Sequence, residues 1–150
     1  MGLSQTANSV ADAFLWNMVA LELLLTNQGD KVVDALPSRA EALLGWSRNW
    51  TEDNFEAKIR EAYSRRCLLV HEGNRDSPRR EDLFFTDDLL ICLLSNLVTH
   101  PVLFYSKEAV IEFSKRVEAE RLLKGIKTTV RPRSLRMFRR KYNPADYDIY

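Results

Sequence analysis

Between Val10 and Leu25 the chain is apolar almost without interruption, broken only by Asp12, Asn17 and Glu22. A helix with apolar residues on nearly every side must be surrounded, so this segment is expected at the centre of a bundle. The remaining residues then have to supply the helices that surround it. With 150 residues the chain can bury a proper core as one domain. Its five Gly and five Pro are few, which points away from the turn-rich all-β folds.

The helices that follow can be read from their punctuation. Asn27, Gly29 and Asp30 end the first. Ser38 reads as the N-cap of a short second helix carrying Ala40, Leu43, Leu44 and Trp46, with Asn49 able to close it. Thr51 reads as the cap of a third, with Glu52 and Asp53 in the first turn where the dipole favours acids. Phe55, Ile59, Ala62, Tyr63, Leu69 and Val70 fall near helical spacing, and Gly73 is the natural stop. The polar stretch from Glu72 to Asp82 is expected to be a loop. Thr86 with Asp87 and Asp88 then predicts the start of a fourth helix that stops before Pro101. Ser106 caps a fifth with Val110, Phe113, Val117 and Leu122 on one stripe, and Gly125 ends it. The expectation is an all-α bundle of four to five helices over residues 1–125, followed by a basic, aromatic C-terminal tail over 126–150.

Net charge is +1 but unevenly placed: 14 Lys and Arg against 19 Asp and Glu in residues 1–123, and 8 against 2 in residues 124–150. An acidic body with a basic tail predicts docking of the tail on the domain or a partner, with RNA contact as the second use. Arg131, Arg133, Arg136, Arg139 and Arg140 interleave with Phe138 and Tyr142 as in RNA-contacting segments. No apolar run is long enough for a membrane span, and no signal peptide is visible, so a cytoplasmic protein is expected. Cys67 and Cys92 lie inside apolar segments and form no disulfide framework. Together with His71 and His100 they could be spelled as a metal set, but the short Cys-x-x-Cys knuckle is missing and no metal or other cofactor is expected.

Chemistry concentrates in Arg66-Cys67-Leu68-Leu69-Val70-His71-Glu72-Gly73. Arg66 and His71 lie five apart, off a common stripe, although the long Arg side chain can reach a shared edge. An imidazole that exchanges a proton near neutrality, beside a permanent cation, suits phosphodiester cleavage. The helix C-terminus repels anions, so phosphate would have to be held by side chains; Arg65, Arg75, Arg79 and Arg80 are close in sequence and are the expected RNA contacts. Glu22 has Met18, Val19, Leu25 and Thr26 as helical neighbours, and a carboxylate on such an apolar surface needs a cationic partner or a proton. Arg66 is one candidate partner; another inter-helix salt bridge or a bond to Tyr63 is the other.

Tyr63, Arg66, Leu69-Val70-His71 and Gly73 together resemble the signature of the HEPN superfamily, an Arg and a His separated by four to six residues. Trp16 with Ala20-Leu21-Glu22, and then Arg39-Ala40-Glu41-Ala42-Leu43-Leu44-Gly45, resemble its ApeA-like branch, so the resemblance covers roughly residues 10–105. It implies a helical homodimer with the motif helices facing each other, and a metal-independent endoribonuclease that leaves a cyclic phosphate. In that scheme His71 is the general acid or base, Arg66 binds the scissile phosphate and Glu22 accompanies them. RNA, tRNA among the candidates, would be the substrate. An antitoxin or further domains of a larger toxin or phage-defence protein would be the partners, and the short run before Val10 fits an excised C-terminal domain. Cys67 departs from the family pattern, where a polar residue often follows the motif Arg. That departure favours the alternative, a non-catalytic dimerisation or interaction module of a larger defence or signalling protein.

Overall fold

The protein is described by a computed structural model covering residues 9–45, 55–123 (the side chain of residue 121 excepted) and 135–136. Trp46, Asn49, Thr51, Gly125 and all of the tail but Leu135 and Arg136 lie outside the described residues. Five helices make up the domain: α1 Val10–Leu25, α2 Val32–Leu44, α3 Phe55–Glu72, α4 Arg80–Thr99 and α5 Lys107–Leu122. No strand occurs among the described residues, and no described helix is long and apolar enough to cross a membrane.

Helix α1 begins where Ser9 Oγ accepts from the Asp12 backbone N–H at 3.2 Å. After Leu25 the chain reverses through Gly29, whose φ of 89° is open to glycine and costly for other residues. Helix α2 starts earlier than the Ser38 cap predicts, at Val32, and runs through Pro37. A proline inside a helix has no N–H for the carbonyl four residues back. Here that carbonyl belongs to Val33, and Arg60 Nη1 of α3 donates to it at 2.7 Å. The helix therefore continues, and Ser38 is an interior residue whose Oγ donates to Glu118 of α5.

Helix α4 also starts earlier than its strongest cap signal. Asp82 Oδ2 accepts from the Arg79 backbone N–H at 2.9 Å, which places the first turn at Arg80. Thr86 is not a cap. It is fully buried, its hydroxyl donates to the Asp82 carbonyl at 2.8 Å, and it accepts from Asn17 Nδ2 of α1 at 3.2 Å. The expected loop of residues 72–82 shrinks to residues 73–79. Gly73 stops α3 as expected, with φ 65°.

Helix α1 packs against all four others, and α2 does the same from the other side of the core. Phe14, Met18, Leu21 and Leu25 of α1 meet Leu36 and Leu43 of α2, Phe55 and Ile59 of α3, and Phe85, Leu89 and Leu93 of α4, all essentially inaccessible. Burying each such side chain contributes about 1.5–3 kcal/mol. Buried Arg39 closes the α1–α2 turn, donating from Nη1 to the Leu25 carbonyl at 2.7 Å and to Asp30 Oδ2 at 2.6 Å. On α5 the expected stripe holds for Val110, Phe113 and Val117, while Leu122 is exposed. Leu135 is buried in the same core. The Asn96 amide exchanges two hydrogen bonds with the Arg136 backbone, at 2.6 and 2.9 Å, as a peptide group in a sheet would.

Arg60→Ala should destabilise the protein by about 1–2 kcal/mol by leaving the Val33 carbonyl without its donor. In a Pro37→Ala background the cost should be smaller, because residue 37 then offers its own N–H. Urea denaturation of the two single variants and the double variant measures this coupling. Equal costs in both backgrounds would mean that Arg60 serves α3's ion pairs and not the proline gap.

Candidate active site

On α3, Tyr63, Arg66, Cys67 and Val70 follow each other at helical spacing and form one stripe. On α1, Trp16, Val19 and Leu23 do the same, with Glu22 at their edge. These stripes belong to one face, because Glu22 reaches across to Arg66. Nε of Arg66 lies 3.0 Å from Glu22 Oε1, and Nη2 donates to Oε2 at 3.3 Å. The Nε contact is ionic and out of hydrogen-bond alignment, so the pair is a side-on clamp tightened mainly by charge. Arg66 Nη1 has no hydrogen-bond or ion-pair partner among the described residues. The Arg66 guanidinium also lies 5.9 Å from the Tyr63 ring centroid, an added cation–π restraint.

The surroundings of the clamp are apolar. Helix α1 is not covered all round: Trp16 is 44% exposed and Leu23 66%, and Val70 of α3 is 46% exposed instead of joining the core stripe. An ion pair with about a fifth of each side chain accessible sits amid these residues. Burial pushes the Glu22 carboxyl upward, and the Arg66 charge and hydrogen bond only partly offset it. Tyr63 is raised too, first by burial and then by the neighbouring Cys67 and Glu22.

His71 occupies the last turn of α3, exposed and without a hydrogen-bond or ion-pair partner among the described residues. The structure thus brings Glu22 and Arg66 together and leaves His71 exposed at the end of the same helix. The expected RNA-contacting arginines divide. Arg65 is turned into the fold, where Nη1 donates to buried Asp82 at 3.0 Å and Nη2 pairs with Glu61. Arg75, Arg79 and Arg80 instead line a cleft of about 470 Å³ with Ser9, Val10 and Ala11 at the start of α1. Arg75 Nη2 is anchored there by Asp12 Oδ2 at 2.8 Å and Ser9 Oγ at 2.9 Å.

Sequence reasoning missed Asp12 and Asp82. Asp82 carried a local signal, an acid three residues after the helix cap. Asp12 carried the same signal, three residues after the Ser9 cap, but nothing local pointed to its partner Arg75, which is remote in sequence. Among the described residues, no three His, Cys, Asp or Glu side chains group so as to hold a metal ion. Cys92 is buried in the core, and His100 caps the C-terminus of α4. In comparisons with known proteins, no family model, curated protein or solved structure matches this chain.

Because Glu22 is raised in the folded protein, its ionisation works against folding. Relative to Glu22→Gln, the wild type should be most favoured below the ordinary glutamate range and lose that advantage as pH rises through the raised value. Denaturation of both proteins across the mildly acidic range measures the gap. A gap that widens in favour of the wild type with rising pH would mean that Arg66's attraction outweighs burial.

Proposed function

We propose that this protein is a metal-independent endoribonuclease of the HEPN type, acting as a homodimer through the α1/α3 face. The observation that carries the reading is the Glu22–Arg66 clamp, set in an exposed apolar face with an unpartnered His71 at the end of the same helix. Clamping Nε and Nη2 fixes the guanidinium while leaving Nη1 for a phosphate oxygen, so Arg66 is oriented before substrate arrives. Pairing two such faces buries Trp16, Leu23 and Val70 and brings two copies of the motif into one cleft.

In that cleft the RNA 2′-hydroxyl attacks the adjacent phosphorus. One His71 accepts the hydroxyl proton, and the partner's His71 supplies a proton to the departing 5′ oxygen. The P–O5′ bond breaks and a 2′,3′-cyclic phosphate remains. Arg66 offsets the negative charge that gathers on the phosphate oxygens. A toxin or defence role, with an antitoxin or further domains as partner, follows from the family resemblance alone.

A second reading, a non-catalytic dimerisation or interaction module, is favoured by one observation. Cys67 stands where a polar residue could orient the imidazole, and no described side chain bonds to His71.

Incubating the protein with mixed tRNA and a single-stranded RNA in EDTA separates the two. Wild type should cleave and leave cyclic-phosphate ends, while His71→Ala should lose about 100-fold or more in rate. Its folding stability should stay within about 0.5 kcal/mol of wild type, because His71 is exposed and has no hydrogen-bond or ion-pair partner among the described residues. Leu23→Asp should lose both the dimer, measured by light scattering, and cleavage. An inert but folded, dimeric wild type would transfer the conclusion to the interaction module.

A further inference from the structure

Directly after His71 the chain enters residues 73–79, and this loop is held at both ends. Arg75 ties it to Ser9 and Asp12 of α1. At the other end Asp82, 2% exposed, binds both Arg65 and the Arg79 backbone. Pro78 is buried between these ties and stiffens the wall. The result is a built cleft that aims three arginines from a six-residue span at one volume.

Its charge is cationic, with Arg75, Arg79 and Arg80 in the lining against one carboxylate, Asp76. Asp12 lies beside it but engages Arg75 only through Nη2, leaving Nη1 and Nε. Arg79 makes no ion pair among the described residues, and since a guanidinium has no acceptor for a backbone N–H, it is the Arg79 backbone N–H on Asp82 that holds the helix start. Arg75 follows His71 by four positions, a reach of at most about 14 Å. We infer that this cleft binds a phosphodiester of single-stranded RNA, a few nucleotides from the bond that Arg66 and His71 act on, and so sets where the strand lies.

This inference rests on the ribonuclease reading, and the experiment separates the two by measuring binding without cleavage. The probe is a fluorescent single-stranded RNA with 2′-O-methyl groups, which lacks the attacking hydroxyl, titrated with the full chain at several salt concentrations. Arg79→Gln combined with Arg80→Gln leaves the backbone cap intact. It should weaken binding about tenfold or more at low salt and reduce the slope of log affinity against log salt by about 1.4. Arg116→Gln, an exposed α5 arginine that does not line the cleft, should bind as wild type. That pattern supports the cleft even if the wild type cleaves nothing. Unchanged affinity and salt slope in the Arg79/Arg80 variant would overturn it, even if the wild type cleaves RNA. Displacement of the probe by an equal concentration of a mononucleotide would overturn the strand assignment, since one isolated phosphate would then satisfy the cleft.

Discussion

The whole arrangement follows from the need to surround α1. Its apolar residues extend around most of the helix, so leaving it on the surface would expose several large side chains at once, each costing about 1.5–3 kcal/mol. The other four helices are accordingly all in contact with it. What they leave uncovered is one stripe, Trp16 and Leu23, and the Glu22–Arg66 clamp lies along that stripe. The proposed site is therefore a by-product of how far four helices can wrap a fifth.

Polar groups taken inside fix the register of this wrapping. Asn17 donates to Thr86 and, at 2.8 Å, to Asp87, locking α1 to α4 at a single height. Burial raises the Asp87 carboxyl while the Asn17 bond opposes it, so the contact is a compromise between desolvation and hydrogen bonding. Arg39 and Asn96 act similarly at the α1–α2 turn and at the Arg136 backbone. An apolar interface alone would tolerate sliding. A buried amide or guanidinium without its partner does not.

Charge is used differently by two successive residues of α3. Arg65 is spent on Asp82 and Glu61, a structural tie, whereas its neighbour Arg66 meets Glu22 with one guanidinium nitrogen left over. Adjacent positions on a helix point about 100° apart. The chain exploits that angle to send one cation into the scaffold and the next to the candidate site.

Local information in the chain determined the helical class, the bounds of α1, the Ser106 cap, the Gly73 stop and the candidacy of Glu22, Arg66 and His71. Each depends on spacing or backbone chemistry within a few residues. Tertiary structure decided the rest. Whether Pro37 ends a helix depends on Arg60 lying against Val33, and whether Thr86 caps or back-bonds depends on Asn17 arriving from α1. Likewise, Glu22's choice of Arg66, and the separation of Arg65 from Arg75, Arg79 and Arg80, are set by partners far along the chain. A carboxylate or guanidinium carries no local record of which opposite charge the packed fold will bring to it.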